Sequence, residues 1–292
     1  LADLIRTNAP PNPAAVAREI FPLLEPCLGI AEGGNLPASA RWEDAIALRW
    51  LGEVMPDPDA ACRASAAAAA LLSRWGQPAA TRRVLDAARR RNTLAGPSAR
   101  ARLEWAEADM RLRAGDHAGA RAAWDAADTL LQDAGMQHLR ARMARQRASA
   151  LTTLGEIRPA ARAWRDARTL SRQAGHLAGV AAGLRGAADL AVQAGELLSA
   201  EALYDQAEGT PSGPIEHANR LIGQAGLALA RGELGRTRSL IDQATHDDPL
   251  PLIAANLARR TADLALREGR HDVATEHATR AAECYRLQGE LS

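Results

Sequence analysis

The chain has 292 residues, of which 36 are basic and 35 are acidic, and its formal net charge at pH 7 is +1. This balance excludes recruitment of nucleic acid or an anionic membrane by net charge alone. All the basic residues are arginine, so the sequence lacks the lysine of phosphate loops, Schiff-base enzymes and kinases. Alanine, the strongest helix former, occurs 68 times against nine aromatic residues, and this bias predicts an all-α protein.

The cysteines and the distribution of apolar residues indicate the cellular compartment. The three cysteines lie far apart, and no uncharged apolar stretch reaches the about 18 residues of a membrane span. We therefore expect a cytoplasmic protein with reduced thiols and no membrane contact. The sequence starts at Leu1 instead of a methionine, so we also expect it to be a segment of a longer protein.

Residues 1–57 are the first predicted element. Counted from Gly33 as a turn, Ala38, Trp42 and Ala45 fall at the offsets that recur further along the chain, but Pro26 stands where the interior of a helix is expected. Two interpretations stay open, a divergent, broken repeat or an N-terminal cap.

Residues 58–292 contain six copies of one motif, each counted from a turn glycine. The glycines follow one another at intervals of 37 to 40 residues, and they are Gly76, Gly115, Gly155, Gly195, Gly232 and Gly269.

Three further positions in every copy carry a small residue, seven before the glycine and five and twelve after it. Sixteen of these 18 positions are alanine and two are threonine, far more alanine than the composition predicts. Nine residues after the glycine, five of the six copies carry a large apolar residue. The small residues are Ala69, Ala108, Ala148, Ala188, Ala225 and Ala262, then Thr81, Ala120, Ala160, Ala200, Thr237 and Ala274, then Ala88, Ala127, Ala167, Ala207, Ala244 and Ala281. The large ones are Leu85, Trp124, Trp164, Tyr204 and Ile241.

This pattern predicts two helices, A and B, in each copy. The turn glycine ends helix A in a left-handed conformation, and small residues mark where two helices cross closely. In four copies a carboxylate is predicted in the first turn of helix B, where it complements the helix dipole. A second glycine, or a proline, stops helix B. The carboxylates are Asp116, Glu156, Glu196 and Glu233, and the second glycines are Gly96, Gly135, Gly175 and Gly289.

The motif resembles the tetratricopeptide repeat (TPR), in which a small residue in helix A, a Gly-Asp-like turn and an Ala–aromatic–Ala series in helix B recur at these offsets. The resemblance implies an all-α, right-handed superhelical solenoid of six to seven antiparallel helix hairpins, with residues 58–292 forming one continuous array. The interval near 40 residues departs from the about 34 of the family. Longer, degenerate repeats of this kind are similar to those in the sensor arms of large bacterial regulators.

Catalytic and metal-binding patterns are weak. His271 and His277 are six residues apart and miss the i, i+4 spacing of a helical metal site, and no GxSxG motif occurs. We therefore expect no enzymatic activity, no cofactor and no metal.

The resemblance also implies a binding groove lined by helix A at offsets −13, −10, −6, −3 and −2, and the candidate residues lie at the first three. Forked guanidinium groups beside an aromatic wall suit a carboxylate-bearing peptide or a small anion. The alternative is an Arg–Asp ladder in which these side chains pair with one another across neighbouring A helices, stabilise the superhelix and bind nothing. The candidate residues are Arg102, Trp105, Asp109, Arg142, Arg145, Arg185 and Asp189.

Two functions stay open. The first is a non-catalytic interaction module that holds a peptide or a partner segment in its concave groove. The second is the effector-sensing arm of a larger bacterial transcription regulator or signalling ATPase, which binds a small ligand. A neighbouring ATPase or DNA-binding domain would favour the second function, and we expect no direct nucleic acid contact by this segment itself.

Overall fold

A computed structural model describes residues 12–28, 40–245 and 251–287, without the side chains of residues 251, 252 and 287. Every regular element in these ranges is a helix, which confirms the predicted all-α fold class. The elements are α1 Pro13–Ile20, a 3-10 turn Phe21–Leu24, α2 Glu25–Leu28, α3 Trp42–Val54, α4 Pro58–Arg74, α5 Pro78–Arg91, α6 Pro97–Arg113, α7 His117–Asp133, α8 Gln137–Thr153, α9 Ile157–Gln173, α10 Leu177–Gln193, α11 Leu197–Glu208, α12 Pro214–Ala230, α13 Leu234–Ala244, α14 Pro251–Arg267 and α15 His271–Leu287.

The helices pack as consecutive hairpins, in which each even-numbered helix from α4 onward is a helix A and the next is its helix B. The chain divides into two compact units, the first ending at Leu139 and the second beginning at Arg140. In the first unit α4 packs on α5 and α6, and α6 packs on α7. In the second unit α10 packs on α9, α11 and α12, while α12 packs on α13 and α14.

The turn glycines have the predicted conformation. All six have a positive φ of 68° to 77°, in the left-handed region that a residue without Cβ adopts easily. Gly135 and Gly175 share it, with φ of 66° and 67°. Gly96 does not, because α5 already ends at Arg91 and Gly96, with φ of −65°, is the N-cap of α6. The predicted Gly289 lies outside the described residues.

The carboxylates at the start of helix B stand at the N-cap, one position before the first turn. Asp116 accepts a hydrogen bond from the backbone N–H of Gly119 at 2.8 Å. Glu156, Glu196 and Glu233 occupy the same position without a side-chain capping bond. These carboxylates can therefore act on the helix dipole, and Asp116 also satisfies a backbone donor.

The small residues of the repeat are all buried. None of the 18 exceeds 7% exposure, and the five large residues nine after the glycine do not either. Trp164, for example, packs with Ala148, Leu151 and Ala160, so it joins α9 to α8. Because a methyl group keeps two backbones close, the small residues define where the helices meet, and the large ring fills the space beside them.

The N-terminal region is irregular where the prolines stand. Pro22 lies in the 3-10 turn between α1 and α2, and Pro26 lies in the four-residue α2. Ala45 in α3 is buried at 1% exposure, but Trp42 is 47% exposed and its ring lies 5.8 Å from that of Trp75. Gly33 and Ala38 lie outside the described residues, so both interpretations of residues 1–57, a cap or a broken repeat, stay predictions.

Two negative findings hold for the described ranges. None of their helices combines the length and apolar character needed to cross a bilayer. No group of three or more His, Cys, Asp or Glu side chains within them is placed to hold a metal ion.

Candidate functional site

The candidate groove residues of the first unit are engaged within that unit. Arg102 donates a hydrogen bond to the carbonyl oxygen of Ser98 at 3.0 Å. The Asp109 carboxylate accepts from the Ser73 hydroxyl at 3.0 Å and from Nε of Arg113 at 3.2 Å. Trp105 is only 5% exposed, so its ring packs in the interior instead of offering the open aromatic wall that the pattern predicts.

In the second unit, two carboxylates hold Arg185. Its Nη1 lies 2.9 Å from Oδ2 of Asp189, one turn along α10, and its Nε lies 2.6 Å from Oε1 of Glu216 in the first turn of α12. The Tyr204 hydroxyl donates to the other oxygen of Asp189 at 2.5 Å. The ladder alternative pairs arginine with aspartate across neighbouring A helices, but the Arg185–Asp189 pair lies within one helix, and Glu216 makes the bond between neighbouring A helices.

These residues belong to a larger polar group inside the second unit. The charge of Glu216 also favours the protonated form of Arg145 on α8, and the charge of Asp189 favours that of Arg260 on α14. We define the arginine–carboxylate cluster as Arg145, Arg185, Asp189, Tyr204, Glu216 and Arg260.

Burial governs the protonation equilibria of the cluster. It raises the pKa of Glu216, and the neighbouring Asp189 adds to this effect while Arg185 opposes it. Burial also raises the pKa of Tyr204 well above its ordinary value. It would lower the pKa of Arg185, but the charges of Asp189 and Glu216 outweigh it and hold that pKa above its usual range. Arg185 therefore stays protonated, and the two carboxylates compensate its charge.

The charge of Arg145 is not compensated in this way. Its Nη1 reaches the Ser171 hydroxyl at 3.5 Å, which is long for a hydrogen bond, and no carboxylate of the described residues forms an ion pair with it. Burial lowers the pKa of Arg145, repulsion from Arg142 and Arg185 lowers it further, and only Glu216 opposes this. The side chain is thus a half-buried cation beside two like charges.

Arg260 is incompletely satisfied as well. One of its terminal nitrogens lies 3.3 Å from Asp263, but its Nε is buried and has no hydrogen-bond partner within the described part of the chain. Burial lowers the pKa of Arg260, and repulsion from Arg259 adds to the effect. Arg145 and Arg260 therefore both retain hydrogen-bonding capacity that the described residues do not use.

Three helical glycines make room for the cluster. A Cβ at Gly179 would lie 2.6 Å from Nη1 of Arg145, and one at Gly226 would lie 2.7 Å from Nη2 of Arg260. A Cβ at Gly223 would lie 2.6 Å from Oδ1 of Asp189. Glycine inside a helix costs about 1 kcal/mol relative to alanine. In so alanine-rich a chain, these glycines mark the places where polar side chains need the space.

Four of the predicted site residues lie on the A helices of the second unit, as the repeat offsets indicate, and they are Arg142, Arg145, Arg185 and Asp189. The offsets did not predict Glu216, Arg260 or the hydrogen bond that Tyr204 donates. Glycines inside the predicted A helices were the available signal, since they interrupt an alanine pattern without ending a helix. Arg142 contributes to the site electrostatically through Arg145.

Comparison with known proteins supports the fold. No protein-family profile matches the sequence, and no curated protein matches it either. Among solved structures, NprR in complex with its cognate peptide NprX matches with a TM-score of 0.59 and 11% identity over 94% of this chain and 82% of that one. The apo form of RapI matches with a TM-score of 0.54 and 12% identity over 99% and 96% of the two chains.

A third solved structure, BtubC (BKLC) from P. vanneervenii, matches with a TM-score of 0.53 and 18% identity over 75% of this chain and 93% of that one. NprR and RapI are TPR-like helical repeat proteins, so the similarity extends the resemblance seen in the sequence to the three-dimensional fold. At these identities the matches establish the helical repeat fold alone.

Proposed function

We propose that this chain is a non-catalytic interaction module that binds a peptide or partner segment through an acidic group placed at Arg145. The observation that carries the proposal is the state of Arg145, a half-buried guanidinium with no carboxylate partner among the described residues and with Arg142 and Arg185 as neighbouring like charges. A partly buried cation without an ion-pair partner is unfavourable, and a carboxylate from outside would reduce that cost.

The expected strength of this contact follows from its chemistry. A hydrogen bond between a guanidinium and a carboxylate contributes about 1.5–3 kcal/mol, which corresponds to roughly a tenfold to hundredfold change in affinity. Arg142 lies three residues before Arg145 on α8 and so on the same side of that helix. A carboxylate of the ligand that reaches Arg145 would also gain from the charge of Arg142.

The other cluster residues would position Arg145 instead of binding the ligand. Arg185 already bonds to Asp189 and Glu216, which leaves it little capacity for another carboxylate. Gly179 gives the Arg145 guanidinium its space at the start of α10. Substitutions of Arg145 and of Arg185 should therefore have different consequences, the first for binding and the second for stability.

The similarity to NprR supports a peptide as the partner. That protein was solved with its cognate peptide, and the matched region covers 94% of the present chain. A peptide carries carboxylates both in acidic side chains and at its C-terminus, and either group would satisfy Arg145.

A peptide-display selection tests the proposal. We expect selected sequences to be enriched in Asp, Glu or a free C-terminal carboxylate, and replacement of that acid by its amide should weaken binding by about tenfold or more. Arg145→Ala should weaken binding to the same extent. Arg165→Ala, an exposed arginine on α9, is the matched control and should bind as the wild type does.

The proposal fails if the selected peptides lack an acidic group, or if Arg145→Ala binds them with unchanged affinity. Titration calorimetry with each peptide and its amide variant gives the affinities, and circular dichroism verifies that each variant is folded.

A further inference from the structure

The first unit contains an open pocket of about 490 Å³ where α1 and the 3-10 turn meet the starts of α4 and α6. Three arginines line it, Arg18, Arg63 and Arg102, and Phe21 and Met55 supply apolar surface. Its volume lies in the range of about 300–1,000 Å³ that is typical of small-molecule sites. The pocket shares no residue with the arginine–carboxylate cluster of the second unit.

The two carboxylates in the lining have other bonds. Asp57 accepts a hydrogen bond from the backbone N–H of Asp59 at 3.1 Å, as the N-cap of α4. Asp59 accepts from the backbone N–H of Gly96 at 2.6 Å and so fixes the start of α6. Three guanidinium groups thus face two carboxylates that already cap helices, and the lining has an excess of positive charge.

Of the three lining arginines, Arg102 already donates to Ser98, so Arg18 and Arg63 are the candidates for binding an anion. Arg63 lies over the ring of Phe21, with its guanidinium carbon 5.8 Å from the ring centroid, so the ring orients a planar fork of donors. Arg18 is exposed. Neither forms an ion pair with a carboxylate in the described ranges.

We propose that this pocket binds a small organic carboxylate with an apolar or aromatic body. Arg18 and Arg63 would bind the carboxylate, and Phe21, Met55 and Ala60 would contact the body. This site is independent of peptide binding at Arg145. A small carboxylate bound here is the kind of ligand that an effector-sensing arm would recognise. Such a carboxylate can be a free small molecule or the C-terminal residue of a protein chain.

A matched pair of probes tests the chemistry. N-acetyltryptophan carries the carboxylate beside an aromatic ring, and N-acetyltryptophanamide has the same ring without the charge. We expect saturable binding of the acid, seen by ligand-observed NMR and titration calorimetry. We expect the amide to bind about tenfold more weakly, because it loses a charge-assisted contact.

Variants locate the site. Arg18→Ala combined with Arg63→Ala should weaken binding of the acid by about tenfold or more. The control, Arg82→Ala with Arg90→Ala, removes the same charge from exposed positions on α5 outside the pocket and should bind as the wild type does. Arg18→Ala alone changes only an exposed side chain, so it tests the site even if the loss of Arg63 loosens Phe21.

A short peptide ending in tryptophan with a free carboxylate distinguishes the two sources. Binding as tight as that of the acid assigns the pocket to a chain end, and weaker binding assigns it to a small molecule. The proposal is overturned if acid and amide bind equally, if Arg18→Ala binds the acid as the wild type does, or if no saturation occurs at millimolar concentrations.

Discussion

Glu216 accepts a hydrogen bond from Nε of Arg185 at 2.6 Å, and this contact joins the first turn of α12 to the middle of α10. The Glu216 side chain is 14% exposed and that of Arg185 is 22% exposed, so solvent screens the pair only in part. The ion pair therefore connects helix A of one repeat to helix A of the next. The buried alanines, in contrast, also pack helix A against helix B within a single hairpin.

Removal of this carboxylate should destabilise the second unit. We expect Glu216→Ala to lower the free energy of unfolding by roughly 2–3 kcal/mol, because it leaves the shielded Arg185 with one counterion instead of two. Urea denaturation followed by circular dichroism measures the change. Glu208→Ala is the control, since Glu208 is 61% exposed in its pair with Arg220 and should cost less than about 1 kcal/mol. Equal losses for both variants would contradict the prediction.

The raised pKa of Glu216 predicts a pH dependence. Between the unfolded value of 4.5 and the raised folded value, the folded state binds more protons at this group than the unfolded state does. The contribution of Glu216 to stability therefore falls as the pH rises through that window. We expect the wild type to lose free energy of unfolding relative to Glu216→Gln over this range, measured as the difference between two denaturation series. A difference with the opposite slope would show that the carboxylate pKa is lowered instead.

Arg145 and Arg185 should respond differently to neutral substitution. Arg145→Met removes a half-buried cation without a counterion, so we expect stability to be unchanged or increased by about 1 kcal/mol. Arg185→Met strands Asp189 and Glu216 and should cost roughly 2–3 kcal/mol. Thermal and urea unfolding of the two variants provide the comparison. If Arg145→Met is as destabilising as Arg185→Met, Arg145 is structural.

The crossing alanines should tolerate no larger side chain. Ala160 and Ala167 on α9 are fully buried, and leucine at either position should cost about 1–3 kcal/mol through overpacking. Ala161→Leu on the same helix is exposed and should stay within about 0.5 kcal/mol of the wild type. Unchanged melting temperatures for both buried substitutions would show that these alanines do not mark close crossings.

Two glycines separate backbone strain from helix propensity. Gly155 has φ of +72° and open space where a methyl group would stand, so Gly155→Ala should cost about 1–2 kcal/mol through its left-handed backbone alone. Gly235 is the second residue of α13, with equally open space and an ordinary φ, so Gly235→Ala should stabilise by less than about 1 kcal/mol, the full value for a helix interior. Thermal unfolding of the two variants measures both effects. Destabilisation by both substitutions would point to an unseen contact at Gly235.

The repeat could be predicted from the sequence because its signals are local. Gly155, Ala160 and Ala167 lie within one hairpin, and both the turn and the crossing depend on residues close in sequence. The same offsets then recur in each copy. The carboxylates of helix B were displaced by only one position, to the N-cap, because a helix boundary depends on hydrogen bonds that the residue pattern does not specify.

The candidate site was less predictable because its contacts are long-range. Arg185 and Glu216 are 31 residues apart, and Tyr204 reaches Asp189 across 15 residues. Which carboxylate an arginine meets depends on the packing of one A helix on the next, which the offsets within a repeat do not contain. Trp105 shows the same limit, since a groove offset does not reveal how far a large ring turns into the interior.

The burial of small side chains at the 18 repeat positions also has a calorimetric consequence. The heat capacity increment of unfolding comes mainly from apolar area that becomes hydrated, and an alanine exposes little such area compared with leucine or isoleucine. A chain whose interhelical contacts are largely alanine should therefore have an increment per residue below the usual range of about 12–15 cal/mol/K. Its stability curve would be flat, with cold and heat denaturation far apart, so the free energy of unfolding would change little between cold and warm growth conditions.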